Sequence, residues 1–260
     1  MPSPSRTHLI LIPSYNTGPK LIPTVRNALD RWSPVWVVVD GSTDDSAQHL
    51  EALKEENPQL KVMVLPENGG KGTAVLAGLK EAVAEGFTHV LTMDADGQHA
   101  ADSIEPFMAA SMAHPDALVL GLPQFDESAP TERLIGRSIA NWFANLETLW
   151  AGIGDCLFGL RVYPAAPLLH VLEHHRWARR FDFDPEVAIR LVWRRHPVIN
   201  MPSPCRYFNA AEGGVSHFKY LRDNVLITWM YFRLLLEFFI RLPVLILHKL
   251  TTNKARAFPS

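Results

Sequence analysis

Two aspartates one residue apart follow an apolar segment in the stretch HVLTMDADGQHA, which covers residues 89–100. Carboxylates at this spacing repel each other, so we expect a positive group between them. In an extended segment residues i and i+2 point the same way, so the side chains of Asp94 and Asp96 can face one cation. A solvated turn that ends a strand is the alternative explanation, because Asp and Gly are common in turns.

The segments around this pair alternate between short apolar runs and helical patterns. HLILIP, VWVVVD, KVMVLP and HVLTMD are strand-like, whereas PKLIPTVRNALDRW and STDDSAQHLEALKEE are helical. Strands that are apolar almost throughout, with helices between them, predict a mainly parallel sheet in a doubly wound α/β fold over the first 120 residues. Ligands bind beyond the carboxyl ends of such strands. The polar and acidic residues at those ends are Ser14, Tyr15, Asn16, Asp40, Asp94 and Asp96.

The region 121–215 is less regular. TERLIGRSIANWFANLETLWAG and DPEVAIRLVWRR predict helices, and FGLRVYP and PVINMP predict strands. Without a repeat or a low-complexity linker, one large domain with an elaborated C-terminal half is the economical interpretation. We place this domain at residues 1–218 and an amphipathic helical extension at residues 219–260.

Composition excludes several classes of protein. The chain has 260 residues, of which 47% are hydrophobic, and a net charge of -2, which argues against general nucleic-acid binding. Its two cysteines, Cys156 and Cys205, show no CxxC spacing, which fits a reducing compartment. The N-terminal segment lacks a secretory signal pattern. These features predict a cytoplasmic protein.

Two common nucleotide-binding patterns fail on spacing. The loop after the first strand, IPSYNTGPK, lacks the GxGxxG of a dinucleotide fold. The stretch ENGGKGTAVLAGL superficially suggests a phosphate loop, but Gly72 follows Lys71 where a P-loop requires Ser or Thr. Neither class of nucleotide site is therefore predicted.

Four ordered motifs carry a more specific resemblance: LIPSYN, VVVDGSTDD, ENGGKGTAVLAGL and TMDADGQH. Together they resemble the family 2 glycosyltransferases of the GT-A fold, and among them the polyprenol-phosphate sugar transferases. The resemblance implies an inverting enzyme that moves a sugar from a nucleotide-sugar to a lipid-linked acceptor, with a polyprenyl phosphate preferred. The alternatives are transfer to a hydroxyl of another lipid or small acceptor, and a non-catalytic nucleotide-sugar-binding regulator.

The resemblance also implies a metal and a donor site. Asp94 and Asp96 would hold Mg²⁺ or Mn²⁺, hard ions that match carboxylate oxygens, against the donor diphosphate. Gln98 is a third candidate ligand, with a side chain bonded to turn backbone as the alternative, and His99 is left out of the set. The other donor-site residues implied are Pro13, Tyr15, Asn16, Asp40, Lys71 and Ala95. Val39 stands where the family usually has an acid before Asp40.

The acceptor side is implied by ERLIGRSIAN followed by GDCLFGLRVYP. Arg133 and Arg137 share one helical face and could clamp an anion, or pair with surface acids. Arg137 and Arg161 would hold a lipid phosphate, and Asp155 would act as base only if the acceptor were a hydroxyl. In PCRYFNAAEGGVSHF, the residues implied near the donor phosphates are Arg206, Ser216 and His217.

The C-terminal stretch is apolar but interrupted by Arg233, Glu237 and Arg241, which are spaced by four. No run approaches the roughly 20 apolar residues of a membrane-spanning helix. The composition predicts an interfacial helix on an anionic leaflet, at the inner face of the cell membrane, which Pro243 should kink or end. The alternative is a helix packed on the domain or on another subunit, so a homo-oligomer stays open.

Overall fold

A computed structural model describes residues 3–125, 131–206, 208 and 220–257 of the chain. Seven strands form one sheet, and β6 runs antiparallel to β4 and β5 while the other pairs are parallel. The strands are β1 (His8–Ser14), β2 (Val35–Asp40), β3 (Leu60–Leu65), β4 (His89–Thr92), β5 (Leu118–Phe125), β6 (Arg161–Pro164) and β7 (Val198–Cys205). Their order in the sheet is β3-β2-β1-β4-β6-β5-β7.

Helices connect and cover these strands. They are α1 (Leu21–Arg31), α2 (Ser46–Glu56), α3 (Lys71–Ala84), α4 (Ile104–Ala113), α5 (Thr131–Glu147), α6 (Ala165–His174), α7 (Phe183–Trp193) and α8 (Tyr220–Ala257). Short 3₁₀ segments at Gly18–Lys20 and Ala101–Ser103 precede α1 and α4. The first four strands are parallel and joined by helices, which is the doubly wound pattern predicted from the sequence.

The sheet separates two hydrophobic cores because successive side chains of a strand point to opposite faces. Leu9 and Leu11 of β1 pack in the core that contains α3, whereas Ile10 and Ile12 pack in the core that contains α1. All four side chains are fully buried. Burial on both faces explains why these strands are apolar throughout rather than alternating.

The predicted α/β fold with a mainly parallel sheet and a C-terminal helix is confirmed. Strand β5 and helices α4 and α6 are additional elements that the sequence patterns did not predict. Of the two effects expected of Pro243, a kink or an end of the helix, the end is wrong, because α8 continues through Pro243 to Ala257, and the kink stays a prediction. Within the described residues, no helix is long and apolar enough to cross a membrane.

Helix α8 turns its charges inward. Arg233 donates to both oxygens of the buried Glu186 on α7, at 2.9 and 2.6 Å. Glu237 accepts from Arg190 of α7 at 2.9 Å, and Arg241 pairs with Glu237 one turn later. Of the three charges predicted to share a face of α8, Arg233 and Glu237 therefore contact the domain, whereas the side chain of Arg241 is 45% exposed.

The opposite side of α8 exposes large apolar residues, most of them spaced by three or four, which places them on one face. They are Leu221, Val225, Trp229, Phe232, Leu236, Phe239, Ile240, Val244, Ile246, Leu247 and Leu250. Helix α5 packs beside α8, where Tyr231 donates to the carbonyl oxygen of Ala140 at 3.1 Å. Ile135, Ile139 and Trp142 of α5 are also more than half exposed. We call these exposed residues of α8 and α5 the apolar face.

A buried acid lies beside the ion pairs of α8. Glu147, at the end of α5, is fully buried, and its carboxylate oxygens have no hydrogen-bond partner in the described part of the chain. Burial, together with repulsion by Glu186, raises the pKa of Glu147 to about 8, although Arg233 acts in the opposite direction. The folded protein therefore holds a proton that an unfolded chain releases near pH 4.5.

Because the pKa of Glu147 is raised, the folded protein should lose stability as the pH rises. The contribution of Glu147 is fully present below about pH 4.5 and is lost as the pH rises to about 8. In urea unfolding at several pH values, Glu147→Gln should gain stability relative to the wild type across this window. The gain should approach about 1.4 kcal/mol per pH unit. The exposed Glu173→Gln should show no such trend, and a flat difference for Glu147→Gln would contradict the buried, protonated state.

Candidate active site

The carboxyl ends of β1, β2 and β4 meet at one edge of the sheet, because these neighbouring strands are parallel. Asn16 follows β1 with a left-handed φ of 43°. Its side-chain oxygen accepts from the backbone N–H of Thr43 at 2.7 Å and of Asp44 at 3.3 Å. Asn16 thus fixes the loop after β2.

Asp40 ends β2 and is almost completely buried. Its carboxylate accepts from the backbone N–H groups of Gly69 and Gly70, at 2.9 and 2.7 Å, and from the side chain of Asn68 at 3.0 Å. Asp40 therefore holds the glycine-rich turn before α3. Its predicted contact with a nucleoside stays a prediction, and its observed bonds all go to this turn.

The glycine-rich turn packs against the segment before α7 too closely for side chains. A Cβ atom at Gly70 would lie 2.3 Å from the carbonyl oxygen of Arg179, and one at Gly72 would lie 1.9 Å from that of Ala178. Gly70 also has a φ of 92°, which favours glycine. The two contacts fix the backbone on both sides of Lys71.

Lys71 is the cation at the centre of this edge. Its Nζ lies 2.7 Å from Asp94 Oδ1 and 2.7 Å from Asp184 Oδ2 of α7. Burial acts to lower the pKa of Lys71, but Asp184 and Asp94 together hold it above its ordinary value. The predicted phosphate ligand is therefore charged and engaged by two carboxylates.

The other carboxylate oxygen of Asp94 faces a histidine. Asp94 Oδ2 lies 3.3 Å from Nε2 of the buried His99, whose ring stacks on Phe158. Burial would raise the pKa of Asp94, but Lys71 and His99 hold it well below its usual range. Gly159 leaves room for this carboxylate, because a Cβ atom there would lie 2.3 Å from Asp94 Oδ2.

The second aspartate of the pair is in a different environment. Burial and the charge of Asp94 raise the pKa of Asp96. Asp96 Oδ1 accepts from the backbone N–H of Gln98 at 3.0 Å. A divalent ion would relieve the repulsion between the two carboxylates, so the donor set fits Mg²⁺ or Mn²⁺. Within the described ranges, no group of three or more His, Cys, Asp or Glu residues is placed to hold a metal ion.

A second cluster surrounds Asp155, which is also buried. Its carboxylate accepts from Arg137 of α5 at 2.5 Å and from Asn141, one turn later, at 3.3 Å. The backbone N–H groups of Leu157 and Phe158 donate to the same carboxylate at 2.8 and 2.7 Å. Asp155 is therefore surrounded by donors, and it orients Arg137.

Arg161 is fully buried at the start of β6. Its guanidinium donates to the carbonyl oxygens of Phe158 at 2.6 Å and Asp184 at 2.6 Å, and to the hydroxyl of Tyr163 at 3.2 Å. The expectation that Arg161 contacts an acceptor phosphate conflicts with this geometry. Arg161 instead ties the segment after Asp155 to the start of α7.

The other predicted residues fall into two groups. Pro13 is buried near the end of β1, Ala95 is buried in the turn after β4, and Tyr15 is half-buried in the loop after β1. Arg206 is exposed, and its backbone N–H donates to the carbonyl oxygen of Gln98 at 3.3 Å, so it lies beside the Asp94–Asp96 turn. Ser216 and His217 lie outside the described residues.

Two residues of the site were not predicted from the sequence. Asp184 reaches Lys71 from more than 100 positions away, and its Oδ1 is buried without a hydrogen-bond partner in the described part of the chain. His99 contacts Asp94 although it was left out of the ligand set. An acid in the first turn of helix α7 is the one sequence signal for Asp184.

The burial of Arg161 predicts a structural effect on mutation. Arg161→Met should lower the free energy of unfolding by about 3 kcal/mol or more, because buried carbonyl oxygens lose their charged donor. Urea unfolding followed by circular dichroism measures this change. Arg26→Met, at an exposed position of α1, should change stability by less than about 0.5 kcal/mol. Equal stability of the two variants would exclude the structural role.

Comparison with known proteins gives concordant matches. The sequence model described as glycosyl transferase family 2 matches residues 9–172. The polyprenol monophosphomannose synthase of Mycolicibacterium smegmatis is 30% identical over 221 residues, and the match covers 82% of this chain and 81% of that protein. A dolichyl-phosphate beta-glucosyltransferase of Trichomonas vaginalis is 28% identical, with 77% of this chain and 64% of that protein covered.

One solved structure shows the same fold. It is the glucosyl-3-phosphoglycerate synthase of Mycobacterium tuberculosis in complex with Mn²⁺, uridine-diphosphate-glucose and phosphoglyceric acid. Its TM-score is 0.62 and its sequence identity 14%, and the match covers 90% of this chain and 79% of that one. At this identity the likeness concerns the fold alone.

Proposed function

The chain belongs to glycosyl transferase family 2, and we propose that it transfers a sugar from a nucleotide-sugar to a polyprenyl phosphate. Relatives named for polyprenol- and dolichyl-phosphate acceptors support the acceptor class. Because these names include both mannose and glucose transfer, we leave the sugar unassigned. The observation that carries the proposal is the geometry of the two clusters, one around Asp94 and one around Asp155.

The donor occupies the edge formed by β1, β2 and β4 in this proposal. The loop containing Tyr15 and Asn16 borders the nucleoside, and Lys71 contacts the diphosphate. Asp94 and Asp96 hold Mg²⁺ or Mn²⁺, which usually binds through one or two carboxylates together with substrate phosphates. When bound, the metal neutralises the charge that develops on the leaving nucleoside diphosphate.

Asp155 distinguishes a phosphate acceptor from a hydroxyl acceptor. A base must have a lone pair directed at the proton that it removes. Three donors, Arg137 and two backbone N–H groups, converge on Oδ1 of Asp155, and Asn141 donates to Oδ2 at 3.3 Å, so the network holds this carboxylate in place. A phosphate that is ionised at neutral pH needs no base. This arrangement favours a lipid phosphate and gives Asp155 a positioning role.

Arg137 is the residue to which we assign the acceptor phosphate. Its side chain is partly accessible, and Asp155 holds it on one side while the ring of Phe125 lies 5.1 Å from its guanidinium carbon. The planar fork of arginine has further N–H groups that can bind phosphate in two-point contacts.

This assignment predicts a change confined to the acceptor. Arg137→Ala should raise the KM for a polyprenyl phosphate about tenfold, equivalent to about 1.4 kcal/mol, and leave donor binding little changed. Initial rates and donor titrations measure the two quantities. Ser138→Ala, the adjacent exposed position on α5, serves as control. A preference for the matched lipid alcohol that is lost in Asp155→Asn but not in Arg137→Ala would overturn the phosphate assignment.

We further propose that the apolar face lies on a membrane, where the acceptor lipid resides. Its outward residues continue from α8 onto α5, the helix that carries Arg137. Because Arg233 and Glu237 point inward, insertion of apolar side chains rather than attraction to anionic lipid is expected to drive binding. Binding through apolar side chains differs from the expectation from the sequence, in which basic residues attract the helix to an anionic leaflet. A cytoplasmic, peripheral location stays a prediction.

The membrane proposal predicts binding with little salt dependence. The full chain should sediment with neutral phosphatidylcholine vesicles, and the triple variant Phe239→Ser, Ile240→Ser, Leu247→Ser should bind more than tenfold more weakly. Each buried side chain of this size contributes about 1.5–3 kcal/mol. Arg241→Gln serves as the control for electrostatic binding. Wild-type binding by the triple variant would contradict the proposal, and a dimer that the variant abolishes would show that a second copy covers the face.

A further inference from the structure

Lys71 engages the same carboxylate that is assigned to the metal. Its Nζ lies 2.7 Å from Asp94 Oδ1, while the other oxygen of Asp94 faces His99 at 3.3 Å. Both oxygens of the first metal ligand are thus in contact with protein cations or donors. A divalent ion that binds Asp94 must compete with these contacts, because two cations close to one carboxylate repel each other.

Lys71 has a second anchor on the far side of its ammonium group. Asp184 Oδ2 lies 2.7 Å from Nζ, and the side chain of Asp184 is about nine-tenths buried. The backbone of Lys71 is fixed by Gly70 and Gly72, which have no space for a Cβ atom. The long side chain can therefore leave Asp94 while its backbone and its pairing with Asp184 are retained.

We propose that Lys71 is an internal competitor of the catalytic metal, and that donor binding removes this competition. Without donor, the ammonium neutralises Asp94 and weakens metal binding. When the nucleoside diphosphate arrives, Lys71 moves from Asp94 to the phosphate oxygens and remains paired with Asp184. Metal and donor then bind synergistically, and the free protein holds metal weakly. The inference rests on the proposed function and concerns the order in which its site is filled.

The charges of the site explain why a lysine that pairs with Asp94 before the metal binds is useful. Asp94 and Asp184 place two carboxylates against one lysine, and Asp96 follows Asp94 by two residues. A site left with these charges unbalanced would be costly to fold. Lys71 supplies a positive charge before the metal is present, and the same charge then helps to bind the anionic donor.

The decisive measurement is Mn²⁺ binding to the full chain, followed by the electron paramagnetic resonance signal of free Mn²⁺. In the absence of nucleotide, Lys71→Met should bind Mn²⁺ about tenfold more tightly than the wild type. With Mn²⁺ present, the same variant should bind UDP or GDP, whichever the wild type binds better, about tenfold more weakly. Lys80→Met replaces an exposed lysine of the same helix and should change neither affinity.

A double variant tests the competition in a protein that carries no unpaired buried charge. Lys71→Met combined with Asp184→Asn removes the ion pair as a unit, which leaves no unpaired buried charge at Asp184. It should retain the tightened Mn²⁺ binding. Asp184→Asn alone should weaken Mn²⁺ binding to the free protein, because Lys71 then pairs with Asp94 only.

The outcomes separate this inference from the proposed function. If the wild type binds Mn²⁺ and Asp94→Asn does not, the assignment of the metal site is supported. Unchanged or weaker binding in both Lys71→Met and the double variant would then overturn the competition alone. If Mn²⁺ binds to no variant, even with UDP or GDP, both the competition and the metal assignment fail.

Discussion

The ammonium group of Lys71, placed between Asp94 and Asp184, joins the two parts of the chain that form the site. Asp94 belongs to the turn after β4, in the doubly wound half, whereas Asp184 begins α7 in the later half. A carboxylate in a partly dry environment is costly unless a cation accompanies it. The pairing therefore requires the turn before α3, the end of β4 and the start of α7 to lie together.

The backbone around Lys71 is arranged to satisfy that requirement. Asp40 binds the N–H groups of Gly69 and Gly70, and the N–H of Gly72 donates to the carbonyl oxygen of Arg179 at 2.9 Å. Backbone approaches backbone closely at Gly70 and Gly72, where a Cβ atom would lie 2.3 Å from the carbonyl oxygen of Arg179 and 1.9 Å from that of Ala178, which explains these glycines. A side chain at Gly72 would separate α3 from the segment before α7, and Lys71 would lose its reach to Asp184.

The sequence predicts the elements of the first half well, because strands buried on both faces have an unmistakable apolar pattern. It also predicts that Asp40 and Asp94 lie at one edge of the sheet. It does not predict Asp184, because no local pattern encodes contact with a lysine more than 100 residues away. The burial of Arg161 is missed for a related reason, since arginine is rarely buried and its partners are backbone carbonyls without a sequence signature.

Helix α8 shows that a correct periodicity identifies a face of a helix but not what that face contacts. Arg233 and Glu237 share a face, as their spacing requires, but their partners Glu186 and Arg190 lie on α7 and turn that face inward. Apolar side chains are consequently left outside, next to those of α5. On α5 itself, Arg137 points to Asp155 while Ile135 and Ile139 are exposed. A polyprenyl phosphate has the same division between one charged end and a long apolar chain, so a helix that presents both surfaces can receive the whole molecule.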